Sequence, residues 1–172
     1  MNIGLRSWKK EDSQNLSKII NNKSIQDNLR DGLPFPYTES DAETYISATL
    51  SADRDKVFSW AIIVDDVVAG NIGVFRKDNI YRLTAEIGYY LSEEYWGKGV
   101  MTIAVKLVCE YIFNNTDIVR ISADPFAYND ASCRVLEKAG FSHEGTLKNN
   151  AVKNGRIIDM KLYAVTKKSE KD

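Results

Sequence analysis

The sequence predicts an α+β fold in which helices pack on a mixed β-sheet. Three observations carry this. Stretches with strand spacing and stripes with helical spacing follow one another in the order β-α-α-β-β-β-α-β-α-β-β. Two pairs of strands are separated by only two residues, Asp65-Asp66 and Asn154-Gly155, the spacing of antiparallel hairpins. One strand passes through a two-glycine turn into the most regular helical stripe of the chain.

Ile3, Leu5 and Ser7 lie on one face of a first strand that ends at Trp8. The first helix has Glu11 and Asp12 in its opening turn, where acidic groups meet the positive end of the dipole. Leu16, Ile19 and Ile20 face inward, and Asn21-Asn22 stops it. Pro34 and Pro36 keep the segment Leu33–Tyr37 out of a helix. Thr38, with Asp41 three residues on, is a short-armed capping box. Behind it, Ala42, Tyr45, Ile46, Thr49 and Leu50 form one stripe of a second helix. Val57–Val64 and Val67–Phe75 flank the first hairpin turn, and Thr84–Leu91 is a further strand. Val100, Ile103, Ala104, Leu107, Val108, Tyr111 and Ile112 fit the helical template in full. Ile118–Ala123 reads as a strand that Pro125 ends. Asn129 opens the last helix, with Ala131, Val135, Leu136 and Ala139 inward and Gly140 as its stop. Ser142–Lys153 and Arg156–Val165 flank Asn154-Gly155, a strong hairpin signal.

With 172 residues, of which 44% are hydrophobic and 27% charged, the chain can bury a real core in one domain. Residues 1–166 are expected to form it, and 167–172 read as a polar C-terminal tail. Twenty-three Lys and Arg against 24 Asp and Glu leave a net charge of −1, so no nucleic-acid binding is expected. Cys109 and Cys133 make neither a metal-ligand spacing nor a disulfide framework, and both fall in helical patterns. They read as reduced core thiols of a cytoplasmic protein. His143 is the only histidine, which excludes a multi-His site, and no metal is expected. No apolar run approaches 18 residues and Met1–Arg6 has no signal-peptide core, so neither membrane spanning nor secretion is expected.

Chemistry concentrates in Glu86–Met101. Gly97 and Gly99 permit positive φ or a close backbone approach. The helix that follows offers unpaired N–H groups and its positive end, a combination suited to a pyrophosphate. A plain tight turn explains two glycines equally well. Two phosphate motifs are excluded. A dinucleotide fingerprint needs a glycine where Thr102 stands. A P-loop needs glycine at Ser92 and a hydroxyl residue at Gly99.

These residues resemble the GNAT superfamily of acetyl-CoA-dependent N-acetyltransferases, and within it the ribosomal-protein-alanine N-acetyltransferase branch. The branch's Gly-Tyr-Trp-Leu…Trp-Gly-x-Gly wording is similar to Gly88-Tyr89-Tyr90-Leu91…Trp96-Gly97-Lys98-Gly99. Its Asn-x-x-Ser…Leu-Glu-Lys-x-Gly-Phe segment is similar to Asn129–Phe141, with Ser132 and Leu136-Glu137-Lys138 in place. Pro36-Tyr37-Thr38-Glu39-Ser40-Asp41-Ala42, Glu144-Gly145, Asn154-Gly155, Asp159 and Tyr163 extend the likeness over nearly the whole chain. Two positions depart from the superfamily pattern: Trp96 stands for an Arg or Gln, and Met101 for a Gly or Ala. The first is usual in this branch.

The resemblance implies a mostly antiparallel sheet with flanking helices, and acetyl-CoA lying where two neighbouring strands splay. Ile87, Gly88, Tyr89, Tyr90 and Leu91 would offer backbone hydrogen bonds to pantetheine and thioester. A backbone N–H near Tyr89 would polarise the thioester carbonyl. The amides of Trp96, Gly97, Lys98, Gly99, Val100 and Met101 would hold the pyrophosphate, with charge from the Lys98 side chain. Asn129 would hydrogen-bond the pantetheine arm, beside Ser132. The reaction implied is direct attack of a neutral amine on the thioester, with no enzyme nucleophile.

Glu86 is the candidate base: a carboxylate in an apolar strand, on one face with Gly88 and Tyr90. A salt bridge or a solvent-facing position explains it equally. The tyrosine that many GNAT enzymes use as acid is replaced by Leu136, so the resemblance points to Ser132, with Tyr128 a poorer choice. A carboxylate favoured in the ribosomal-protein branch is replaced by Ala151. Phe35 and Tyr37 are candidates for the acceptor pocket, while Trp60 reads as core. At pH 7 an α-amine of pKa about 7.8 is about one-tenth neutral and a lysine amine of about 10.4 far less so, a difference of about 3.5 kcal/mol. This favours a protein or peptide N-terminal α-amine as acceptor. Small-molecule amines (polyamine, amino compound or antibiotic) and a non-catalytic acyl-CoA-binding module are the alternatives. Family habit allows a monomer or a homodimer.

Overall fold

The computed structural model describes residues 1–168. Residues 169–172, the outer part of the expected tail, lie outside the described residues. The elements are β1 (Ile3–Arg6), α1 (Ser13–Ile20), α2 (Lys23–Gln26), α3 (Glu39–Ser51), β2 (Val57–Val64), β3 (Val67–Arg76), β4 (Thr84–Leu91), α4 (Val100–Asn115), β5 (Arg120–Ala123), α5 (Asp130–Lys138), β6 (Ser142–Lys153) and β7 (Arg156–Thr166). Short 3-10 turns precede α1, β4 and α4.

The order is the expected one with one addition. α2 is a single helical turn opened by the Asn22 side chain, which accepts from the Ser24 amide at 2.8 Å. Four residues carry too little periodicity to register in the sequence. Other boundaries follow local chemistry. The capping box of α3 is complete, with Thr38 and Asp41 exchanging hydrogen bonds. Asp65 and Asp66 both take positive φ, as do Asn154 and Gly155, so both hairpins turn tightly. The strand expected from Ile118 is in place only from Arg120.

The seven strands form one sheet in the order β1-β2-β3-β4-β5-β7-β6. Every pairing is antiparallel except β4 with β5. Two buried clusters cover the central strands, one on each face. α1 and α3 bring Leu16, Ile20, Ala42 and Ile46 against Trp8, Ala61 and Val68. α4 and α5 bring Val100, Ala104, Val108, Ile112 and Leu136 against Ile62, Ile72, Ile87 and Ile121. β3 is covered on both sides, and it accordingly reads as a continuous apolar run. No helix among the described residues is long and apolar enough to cross a membrane.

The helical stripes are rotated from expectation in places. α4 buries Val100, Met101, Ala104, Val105, Val108, Cys109 and Ile112, while Ile103, Leu107 and Tyr111 are exposed on its flank. The helix carries apolar residues on two adjacent stripes, so the template matched both. Tyr111 does find a partner: its ring meets Trp60 edge-on at 5.4 Å, which places Trp60 in the α4-side packing as expected. In α5, Cys133 rather than Ala131 is buried, and Leu50 at the end of α3 is exposed.

Candidate active site

The site begins with a break in the sheet. β4 and β5 pair over only three residues, Thr84 with Arg120, Ala85 with Ile121 and Glu86 with Ser122. Beyond Glu86, β4 continues to Leu91 on β3 alone. Beyond Ala123, the chain is drawn the other way. Pro125 cannot donate to a ladder, its carbonyl accepts from Lys161, and Phe126 bridges Met160 of β7. The two strands therefore part after Glu86, and the edge of β4 from Ile87 to Leu91 faces the gap. Close packing on the other edge of β4 holds it there: a Cβ at Gly70 would collide with the Tyr90 carbonyl oxygen.

A cavity of about 750 Å³ passes through this gap. On one side of the sheet it reaches Ile25, Leu29, Tyr37 and Tyr45 of the α1–α3 layer. On the other it reaches Gly97, Gly99, Val100 and Met101 at the start of α4, and Asn129 and Ser132 at the start of α5. Every site residue singled out in the sequence lines it except Phe35, Lys98 and Tyr128. Phe35 is 57% exposed beside its prolines, whereas Tyr37 is buried, its phenol pushed up to about 12 chiefly by that burial. The Lys98 side chain turns toward the Tyr95 ring, 5.8 Å from its centroid.

The α4 end is made of main chain. Gly97 and Gly99 have φ of +72° and +79°, and a Cβ on either would meet only open space. Conformation, not crowding, requires glycine here. Gly99 is the N-cap residue and no side chain caps the helix. Among the described residues, the amides of Val100, Met101 and Thr102 donate to no turn or side-chain acceptor. A 16-residue helix thus points its open, positive end into the cavity. Met101 is buried under the turn and leaves these amides free. The Trp96 indole N–H donates to the Leu91 carbonyl at 2.8 Å, tying the turn to the end of β4.

Side chains supply the rest. Asn129 accepts from the Ser132 amide at 3.1 Å, which caps α5 through its carbonyl oxygen. The Tyr89 hydroxyl lies 2.9 Å from Ser132 Oγ, and either can donate. Burial raises the Tyr89 phenol well above its ordinary range, so this pair stays protonated. The sequence singled out Tyr89 for its amide only; its hydroxyl is the phenol that meets Ser132. Tyr128 points elsewhere, donating to the Asp27 carbonyl at 3.0 Å.

On the α1–α3 side, Glu86 is half-buried and ion-paired to the exposed Arg30. Asp124 lines the same cavity, and its Oδ1 is buried with no hydrogen-bond partner among the described residues. Burial, and next the Glu86 charge, raise its carboxyl above the usual aspartate range. Sequence reasoning passed over Asp124. The available signal was its place just before the strand-ending Pro125, two residues after Ser122.

The comparisons agree with this geometry. A family model described as the acetyltransferase (GNAT) domain matches residues 2–142. The probable N-acetyltransferase YjcK of Bacillus subtilis (strain 168) is 37% identical over 115 residues, 66% of this chain. That match spans 64% of YjcK, just under two thirds of its length. The putative ribosomal N-acetyltransferase YdaF of the same strain is 28% identical over 174 residues, covering 96% of this chain and 92% of YdaF. Among solved structures, Mycobacterium smegmatis RimJ in complex with CoA-disulfide superposes with a TM-score of 0.86 at 23% identity, covering 95% of this chain and 81% of that one. That likeness is one of fold.

Proposed function

Since the chain belongs to the GNAT acetyltransferase family, we propose that it transfers the acetyl group of acetyl-CoA to a primary amine, and that the amine is the α-amine of a protein or peptide. The observation that carries this is the gap between β4 and β5. It gives one cavity access to an open helix end on one face of the sheet and to carboxylates on the other.

Acetyl-CoA enters from the α4 side. The Trp96 amide, expected to take part, already donates to the Glu93 carbonyl at 3.1 Å. The amides from Gly97 to Met101 therefore hold the pyrophosphate, where N–H groups and the helix dipole favour negative charge. The free edge of β4, Ile87 to Leu91, pairs with the pantetheine much as a strand would, and Asn129 steadies the arm from α5. The thioester then lies in the gap, with a β4 amide near Tyr89 aimed at the carbonyl oxygen as it gains charge. The amine comes from the α1–α3 side, past Tyr37, and attacks directly. The Tyr89–Ser132 hydroxyl pair returns a proton to the departing thiolate. An α-amine suits this site because it demands about 3.5 kcal/mol less deprotonation than a lysine amine at neutral pH. We assign these roles to residues 1–166 acting as one domain.

The test is thiol release from acetyl-CoA with a panel of N-terminal peptides and, in parallel, spermidine. Turnover with peptides supports the reading. Turnover with spermidine alone replaces the acceptor class but keeps the reaction. CoA binding without release for any amine leaves an acyl-CoA-binding module, and no thermal shift with CoA removes the reading altogether.

A further inference from the structure

Asp124 follows the end of β5, two residues after Ser122, the residue paired with Glu86 in the parallel ladder. Strand alternation puts its side chain on the same side of the sheet as Glu86. It stands level with Gly88, two residues beyond the last pair of the ladder, where the two strands have parted. It lines the cavity there, with Oδ1 buried and unpartnered among the described residues. A buried carboxylate oxygen without a donor costs free energy until a donor arrives. Glu86 is in the opposite condition, since Arg30 already holds its carboxylate. The charged groups acting on Asp124 are Glu86 from β4, which raises its carboxyl, and Lys77, Arg30 and Arg120, which lower it.

We infer that Asp124 accepts the proton of the incoming ammonium, and that the Glu86–Arg30 pair positions the amine and sets the charge around it. The inference rests on the acetyl-transfer reading above. The step balances in protons. The ammonium gives one proton to the Asp124 carboxylate, which passes it to solvent. The neutral nitrogen forms its bond to the carbonyl carbon and gives up a second proton, which through solvent replaces the one the Tyr89–Ser132 pair delivers. The C–S bond breaks, and the thiolate takes its proton from the Tyr89–Ser132 pair. The products are the N-acetyl amine and free CoA thiol. A base with a pKa above the ordinary aspartate value suits this task near neutral pH.

The experiment compares Asp124→Asn, Asp124→Glu and Glu86→Gln in the full chain, using whichever of an alanine-initiated peptide or spermidine the wild type acetylates. Asp124→Asn is expected to lower kcat/KM for the amine by about 100-fold or more, with CoA affinity within twofold of wild type. The acid limb of the kcat/KM pH profile is expected to disappear with it. Asp124→Glu restores part of the rate, and Glu86→Gln raises KM more than it lowers kcat. The carbon-13 signal of the Asp124 carboxyl gives a readout without acceptor: it titrates above an ordinary aspartate and moves down in Glu86→Gln. A rate within threefold of wild type and an unchanged pH profile in Asp124→Asn overturn the assignment while leaving acetyl transfer intact. Absence of thiol release by the wild type with every amine overturns the reaction itself.

Discussion

On the α4 side of the sheet the cavity is walled by main chain: the amides after Gly97 and Gly99 and the free edge of β4. On the α1–α3 side it is walled by side chains drawn from separate parts of the chain, Arg30, Tyr37, Glu86 and Asp124. A main-chain wall needs little beyond the right dihedral angles and is tolerant of the side chains it carries, such as Met101. A side-chain wall depends on identity at each position. The same fold can therefore hold one co-substrate on the first side and accept different amines on the second.

Substitutions can sharpen or break this contrast. After Asp124→Asn, the largest expected effect is at Gly70. Gly70→Val pushes β4 away from β3, because its Cβ meets the Tyr90 carbonyl. It should cost about 2 kcal/mol or more of stability by denaturant titration, and abolish CoA binding with it. Next come the turn glycines. Alanine at Gly97 or Gly99 meets no neighbour but must hold a positive φ, a strain of about 1–2 kcal/mol. If the turn relaxes instead of bearing that strain, CoA affinity falls by about tenfold in calorimetry, while the peptide KM is unchanged.

Much of this difference was legible in advance. Positive-φ glycines before a helix are a local feature, so the two-glycine turn, the helix after it and the strand before it could all be placed from residue types and spacing. The α3 capping box and both hairpins are local in the same sense. The acceptor side was not legible, because its members meet only in three dimensions. Arg30 comes to Glu86 from 56 positions away. A side-chain pair of the other wall was hidden for the same reason, since Tyr89 reaches Ser132 across 43. Asp124 gains its meaning from a ladder that stops two residues before it. Phe35 was misleading for a related reason: an aromatic next to prolines looks like a pocket wall, yet the loop turns it to solvent.

Smaller effects probe the side chains. Tyr89→Phe keeps the ring and removes the hydroxyl that meets Ser132, so kcat should fall by about tenfold with CoA affinity nearly constant. Because burial raises the Tyr89 phenol, its loss should not introduce or remove a basic limb in the neutral range. Stability offers a check on Asp124 from the opposite direction. Its folded-state carboxyl lies above the unfolded value, so the folded state holds its proton more tightly. Its contribution to stability is then fully present below the unfolded pKa and is lost as pH rises through the folded one. Asp124→Asn should accordingly gain stability relative to wild type at pH 7, and gain less in acid. Equal differences at both pH values would contradict the burial. The smallest effect belongs to Lys98→Ala, whose side chain lies toward Tyr95: CoA affinity should stay within about threefold, as for an exposed charge.

The central claim is that the amides opening α4, together with the free edge of β4, receive the CoA moiety. Titration of nitrogen-15-labelled protein with CoA tests it most directly. The account predicts that the largest amide shifts fall on Gly97 through Thr102 and Ile87 through Leu91, with Phe35 and the Asn154-Gly155 turn unmoved. Saturable binding whose shifts cluster elsewhere, or no binding at all, would contradict it.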